Sequence, residues 1–189
     1  MKIGIYSGSF NPIHRGHTAL AAYLLRHAGV DEVWLVVSPH NPLKAAETLL
    51  SDRDRLQMAR LAAEDCPQLV VSDVEFSLPK PSYTVQTLAY LSEKYPEHDF
   101  TLMIGADNLA VFDKWKEYSA LLRSYRIVVY PRRGFDVDSE AYPQVEYLAG
   151  APLFDVSSTE IRAKIRAGSD VSAFLAPQVH RYLRSLETY

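Results

Sequence analysis

Cysteine is almost missing from this sequence. The 189 residues hold one, Cys66, which excludes an intrachain disulfide framework and points to a reducing compartment. Long apolar runs are also missing. Stretches such as Val33–Val37 fall far short of the ~20 residues that span a bilayer, and the start, Met1-Lys2 and a few strand-forming residues, lacks the apolar core of a signal peptide. Charge of one sign is scarce: 20 basic against 23 acidic residues leave −3, which does not suit broad electrostatic binding of nucleic acid. Two familiar phosphate loops are absent as well. Gly8 is followed by no glycine before Gly16, so there is no G-x-G-x-x-G, and Gly-Lys-Ser/Thr occurs nowhere, so hydride-transfer dehydrogenases and P-loop NTPases are excluded. With 48% hydrophobic and 23% charged residues, the expectation is one soluble cytoplasmic domain over residues 1–189, binding neither membrane nor nucleic acid.

What is present is alternation. Strands are expected at 3–6, 32–38, 69–74, 100–105, 126–130 and, briefly, 145–148. Helices are expected at 18–27, 52–64, 85–94, 158–167 and 177–186, on apolar residues at helical spacing. Strands alternating with helices predict a parallel sheet covered by helices, with a C-terminal helical part from about 153 to 189.

Residues 7–17, Ser-Gly-Ser-Phe-Asn-Pro-Ile-His-Arg-Gly-His, join the first strand to the first helix. A small-residue turn there offers free backbone N–H groups and the positive end of a helix to an anion. His14 and His17, set around Gly16 beside Arg15, suit a polyanion; a helix cap and a core histidine are the structural alternative. Zinc is disfavoured, because no carboxylate or cysteine nearby completes a ligand set. Ser157-Ser158-Thr159-Glu160 has the form of a capping box, and with Arg162 one turn on it also forms a second anion site. Gly105 and Asp107 end the fourth strand, where a nucleotide ribose can approach; a turn glycine and a capping aspartate are the alternative. Arg132 and Arg133 follow the fifth strand, either as a solvated face or as phosphate ligands, and Lys44 in the loop Pro39–Lys44 is equally ambiguous. Trp115 lies among charges, as a stacking platform or an edge-of-core residue. In a parallel sheet the loops after strands 1, 2, 4 and 5 share the carboxyl edge, the usual ligand side.

The segment Ser9-Phe10-Asn11-Pro12-Ile13-His14-Arg15-Gly16-His17 resembles the T/S-F-D/N-P-x-H-x-G-H signature of the nucleotidyltransferase superfamily. Ser157-Ser158-Thr159-Glu160-Ile161-Arg162 is similar to its second motif, S-S/T-T-x-I-R. Within that superfamily, Pro81-Ser82-Tyr83-Thr84, Ile104-Gly105-Ala106-Asp107 and Trp115 look like the bacterial nicotinate-nucleotide adenylyltransferases, over essentially the whole chain. Two departures are visible: Ser7 stands where the family usually has glycine, and the compact P-P-H-K loop is stretched to Pro39-His40-Asn41-Pro42-Leu43-Lys44.

The resemblance implies a Rossmann-like, doubly wound, mainly parallel α/β sheet with helices on both faces. It implies transfer of AMP from ATP to nicotinate mononucleotide, giving deamido-NAD and pyrophosphate in NAD biosynthesis, with Mg²⁺ carried on the ATP phosphates and no protein-held metal. His17 and His14 are then the catalytic residues. ATP is bound by Ser9, Phe10, His14, His17, Gly105, Asp107, Arg132, Ser157, Ser158 and Arg162, and nicotinate mononucleotide by Lys44, Ser82, Tyr83, Thr84 and Trp115. A homo-oligomer is compatible with this reading. The competing activities are adenylyl transfer to nicotinamide mononucleotide, to both nucleotides or to phosphopantetheine, and a noncatalytic nucleotide sensor. The chemistry suits the inventory: a phosphate monoester is already anionic near neutral pH, so positioning and charge stabilisation can carry an in-line displacement without a general base.

Overall fold

A computed structural model describes residues 1–39, 49–137 and 140–186. Six strands, β1 (Lys2–Gly8), β2 (Glu32–Val37), β3 (Leu69–Ser72), β4 (Asp99–Gly105), β5 (Arg126–Tyr130) and β6 (Glu146–Tyr147), form one sheet in the order β3-β2-β1-β4-β5-β6. Every neighbouring pair is parallel. The order reverses between β1 and β4, the doubly wound arrangement that leaves a ligand crevice at the carboxyl edge.

Side-chain alternation sends each strand's residues to two cores. Val33, Leu35 and Val37 of β2 and Val128 and Tyr130 of β5 face one cluster, which also takes Leu20 and Leu24 from α1 (Arg15–His27), Met58 and Ala59 from α2 (Asp52–Ala63), Ile161 from α6 (Ser158–Arg166) and Val179 and Leu183 from α7 (Pro177–Ser185). Ile3 and Ile5 of β1, Phe100, Leu102 and Ile104 of β4 and Ile127 and Val129 of β5 face the other. That side is closed by Leu88 and Leu91 of α3 (Thr84–Lys94), Leu109 of α4 (Ala106–Leu109) and Leu121 of α5 (Tyr118–Ser124). Strands buried on both faces explain the near-continuous apolar runs of β2 and β5. Helix α7 is also pinned to α2 by polar bonds, Tyr182 Oη to Asp54 Oδ1 (2.8 Å) and Gln178 Nε2 to the Leu61 carbonyl (3.1 Å).

The expected alternation is present, with three differences. Helix α1 begins at Arg15 rather than 18, so His17 lies inside its first turn and His14 is the N-cap. Strand β3 stops at Ser72, because the Val74 N–H donates to Ser72 Oγ and Val74–Phe76 turns into a short 3₁₀ segment. Residues 106–124 fold into α4, a 3₁₀ turn and α5, pieces too short to leave a periodic signal.

The β1–β4 pairing sets up the site. It runs from Lys2↔Asp99 to Ile5↔Leu102 and goes no further, whereas β1 and β2 stay paired to Gly8↔Val37. Beyond Ile5, Tyr6–Gly8 and Met103–Gly105 are no longer paired with each other, at the place where an open α/β sheet forms its ligand crevice. Ile5, fully buried just beneath the divergence, tests this packing. Ile5→Ala is expected to cost about 2–5 kcal/mol in urea unfolding, while Leu153→Ala, at a side chain 53% exposed, stays within about 0.5 kcal/mol.

Candidate active site

The crevice is lined first by the turn from β1 to α1. Phe10 adopts a left-handed backbone (φ 46°) with its ring 2% exposed, a strained conformation for a bulky residue and one that often marks a functional turn. Its ring packs edge-on to Tyr6 (5.7 Å) and His17 (5.2 Å), so Phe10 serves the site by shaping the turn and wedging His17. Ser9 contributes its carbonyl to the buried Arg55 (2.5 Å to Nη1).

His14 and His17 brace each other. The His14 N–H donates to His17 Nδ1 (3.2 Å), the His17 N–H donates to the His14 carbonyl (2.9 Å), and the rings lie 3.7 Å apart between centroids. Gly16 permits this: a Cβ there would sit 3.0 Å from the His14 ring and 3.1 Å from Phe154 Cβ. The first turn of α1 contains no acidic residue of its own to offset its positive end. Arg15 turns away, its Nε donating to the Leu175 carbonyl (3.0 Å).

Both imidazoles are neutral at pH 7. Burial, then the nearby Arg132, bring His14 down to about 4 against a small opposing pull from Glu160. Burial, then His14 and Arg132, hold His17 well below its ordinary value. A neutral His17 that accepts at Nδ1 carries its proton on Nε2 and is therefore a donor. His14 Nδ1 is buried and has no hydrogen-bond partner among the described residues. Buried polar atoms are nearly always paired, so such an atom at a helix start fits a ligand contact.

The second motif closes on the first. Ser157 caps α6, accepting from the Glu160 N–H (3.2 Å) and donating to Glu160 Oε2 (2.8 Å), a complete capping box. Ser158 Oγ donates to the Pro12 carbonyl (2.9 Å), and Arg162 donates from Nη1 to the Asn11 carbonyl (2.7 Å) and from Nη2 to Thr159 Oγ1 (3.2 Å). The serine hydroxyl protons are thus spent on architecture, and the anion-binding capacity of this end lies in the first N–H groups of α6, which no helix carbonyl serves. Across the crevice, Asp107 Oδ1 and Arg132 Nε pair at 3.5 Å over Gly105, where a Cβ would lie 2.3 Å from Asp107 and 2.9 Å from Arg132. Arg132 also stacks on Tyr130 (5.4 Å), whereas Arg133 pairs with Asp155.

The third corner is the start of α3. Tyr83, its N-cap, is 38% exposed with Lys116 Nζ 4.5 Å over its ring, and Trp115, next to Lys116, rests half-buried on Phe112 (5.2 Å). The first turn of α3 has no acidic residue, and Thr84 opens it. Ser82 Oγ donates to the buried Glu75 (3.2 Å), which commits its proton. Lys44 lies outside the described residues.

Sequence reasoning overlooked three contributors. Asn11, fully buried, accepts from the Leu50 N–H (3.1 Å) through Oδ1. Arg55, also fully buried, donates to three carbonyls, those of Ser9, Ser38 and Leu50. Glu75 accepts from Ser82 and Thr87. The one signal available for Arg55 is its place on the apolar stripe with Leu56 and Ala59.

Two neutral histidines make a pH prediction. The unfolded chain takes up protons at these positions below about 6.5, while folded His14 waits until about 4, so their contribution to stability falls as pH drops through that window. NMR titration should show no His14 protonation above pH 5. The urea midpoint of His14→Gln should lose less than the parent's between pH 7 and 4.5; equal losses would count against a buried neutral His14.

Comparison with known proteins gives the same picture. The model of the cytidylyltransferase-like family matches residues 5–164. A protein of Bacteroides fragilis named "Probable nicotinate-nucleotide adenylyltransferase" is 50% identical over 180 residues, covering 95% of this chain and 90% of its own. One of Flavobacterium johnsoniae with the same name is 46% identical over 186 residues, covering 97% and 96%. The fold is shared with a Plasmodium falciparum nicotinic acid mononucleotide adenylyltransferase solved in complex with NaAD. Its TM-score is 0.79 at 20% identity, over 97% of this chain and 94% of that one. The chain belongs to the cytidylyltransferase-like family, and within it to the nicotinate-nucleotide adenylyltransferases.

Proposed function

We infer that the protein transfers AMP from ATP to nicotinate mononucleotide, releasing pyrophosphate and forming deamido-NAD. The observation that carries this reading is the crevice where β1 and β4 part, bounded by the neutral His14–His17 pair on α1 and tied to the α6 start through Ser158 and Arg162. In this reading the triphosphate lies across the starts of α1 and α6, with His14 and His17 on the phosphate that reacts. Arg162 faces the leaving pyrophosphate, and Asp107 the ribose beside Gly105. The nicotinate ring sits by Tyr83 and Trp115, its carboxylate on the first N–H groups of α3. The phosphate oxygen of nicotinate mononucleotide attacks the α-phosphorus, the bond to the α–β bridging oxygen breaks, and pyrophosphate leaves with that electron pair.

The donor set facing the triphosphate is made of imidazoles, a guanidinium and backbone N–H groups, which suits phosphate oxygens and not a bare cation. Mg²⁺ therefore fits as a passenger on ATP, where it would neutralise charge on the phosphates. The chain's own part is positioning: His17 donates from Nε2 as charge builds on the α-phosphoryl oxygens, and its neutrality leaves ground-state ATP less tightly held than a cation would hold it.

Pyrophosphate release with ATP and Mg²⁺, run over nicotinate mononucleotide, its amide and phosphopantetheine, tests the assignment, with EDTA expected to abolish turnover. The acid should be strongly preferred, because an amide NH₂ facing the N–H groups of α3 leaves donors unpaired at about 1–3 kcal/mol. Equal kcat/KM for acid and amide would sink the acid-specific reading. His17→Ala should lose on the order of 10²–10³ in kcat with KM for ATP nearly unchanged, and a folded variant at parental rate removes the role.

A further inference from the structure

Glu75 lies in the 3₁₀ turn after β3 with 5% of its surface exposed, and no step of the proposed reaction uses it. Burying a carboxyl group is costly unless it is well bonded, and burial pushes this one above its ordinary value. Among the described residues no cation pairs with it. Two hydroxyls serve it instead, one on each oxygen: Thr87 Oγ1 donates to Oε1 (3.0 Å) and Ser82 Oγ to Oε2 (3.2 Å). The turn that carries Glu75 is itself firm. Val74 packs in the same core as Leu88 of α3, its carbonyl accepts from Ser77 Oγ (2.9 Å), and its N–H donates to Ser72 Oγ (3.3 Å).

The two hydroxyls bracket the start of α3. Ser82 precedes the N-cap Tyr83, and Thr87 lies one turn inside the helix, its Oγ1 also 3.4 Å from the Tyr83 carbonyl. The helix does not need this bracket in order to form, because the Tyr83 carbonyl already accepts from the Gln86 N–H (2.9 Å) and the Thr87 N–H (3.1 Å). What the carboxyl group adds is a tie between the helix start and the turn after β3. The segment it holds at both ends, Ser82–Thr87, presents the exposed Tyr83 ring, with Lys116 Nζ 4.5 Å above it, and the first N–H groups of the helix. A buried carboxyl group thus serves a surface turn, the pattern expected where that turn must be held to about 0.5 Å.

We propose that Glu75 is a positioning residue for the acceptor nucleotide, fixing the start of α3 so that the Tyr83 ring and the first N–H groups meet the nicotinate ring and its carboxylate. The proposal rests on the adenylyl-transfer reading above. Releasing the carboxyl group removes none of the acceptor-binding groups and lets the helix start shift under them. The starts of α1 and α6, which take the triphosphate in that reading, make no bond to Glu75 and keep their own ties to each other. The effect therefore falls on one substrate and spares the other.

The test compares Glu75→Leu, Glu75→Gln and Thr87→Val with the parent in steady-state turnover, varying ATP and nicotinate mononucleotide in turn, and in thermal unfolding. Glu75→Leu should raise KM for nicotinate mononucleotide about tenfold, the worth of one good hydrogen bond, with KM for ATP changed less than about twofold. Its preference for the acid over the amide should fall as well, because the N–H groups that read the carboxylate have shifted. Glu75→Gln keeps the shape, accepts at one oxygen and donates from the amide, and should return KM to within about threefold of the parent. Thr87→Val cuts one leg and should cost roughly threefold in the same KM, with no further loss when added to Glu75→Leu, since links of one network are not additive. Tyr182→Phe, which cuts the bond from α7 to α2, should lower Tm and move neither KM. If Glu75→Leu fails to fold, Thr87→Val decides. A folded variant with parental KM for nicotinate mononucleotide, or with equal rises for both substrates, overturns the positioning role. A parent enzyme that ignores nicotinate mononucleotide overturns the assignment instead, so the two failures are distinct.

Discussion

Parallel pairing between β1 and β4 ends at Ile5 and Leu102, and the geometry of the site descends from that one divergence. Crossovers from a central strand to opposite halves of the sheet run over opposite faces. The strands that start the two halves therefore lose each other as partners at their carboxyl ends. The chain leaving β1 runs through the turn Ser9–His14 into α1, and the chain leaving β4 enters α4 at once. Backbone groups that would have bonded across the ladder face a crevice instead, with a helix start aimed into it. Glycines lie where side chains crowd the backbone: Gly105 under the Asp107–Arg132 pair, and Gly16 under the His14 ring.

The electrostatics favour neutral donors over cations. Enclosure by protein together with Arg132 drains the proton from both histidines, so the positive charge facing the crevice belongs to guanidiniums and helix ends while the imidazoles donate without being charged. A neutral donor gains less from a resting phosphate than a cation does, and it strengthens as negative charge grows in the transition state. The cost of this arrangement is visible in the strained Phe10 backbone and in His14 Nδ1, unpaired among the described residues. Rigid surroundings maintain it: the capped α6 tied to Asn11 and Pro12 on one side, and the buried guanidinium of Arg55 on the other.

In the proposed function several sequence motifs have two jobs. Ser157 is a helix cap in every hydrogen bond it makes, yet the capped helix is what presents N–H groups to the crevice. Trp115 is an edge-of-core residue resting on Phe112 and still borders the face beside Tyr83. The structural and functional readings weighed for these residues are complementary, because a site held within tenths of an ångström needs its binding groups anchored to the core.

Much of the molecule was legible before any coordinates. Apolar runs set the strands, the S-x-x-E pattern set the start of α6, and the spacing of His14, Gly16 and His17 marked the helix start now proposed to hold phosphate, because backbone hydrogen bonding and side-chain period act over a few residues. Local pattern does not carry the ends of elements that tertiary bonds decide, such as β3 stopping at Ser72, or the short helices of 106–124. It also missed the roles of Arg55 and Glu75, since an arginine on an apolar stripe and a glutamate in a turn acquire meaning only from carbonyls and hydroxyls 5 to 46 residues away. By itself the sequence determined the strand–helix alternation and the residue types proposed to meet the phosphates. Tertiary structure alone decided which of them stand free, for two reasons: hydrogen-bond partners are allotted by the fold, and the dielectric around a histidine is set by whatever packs against it.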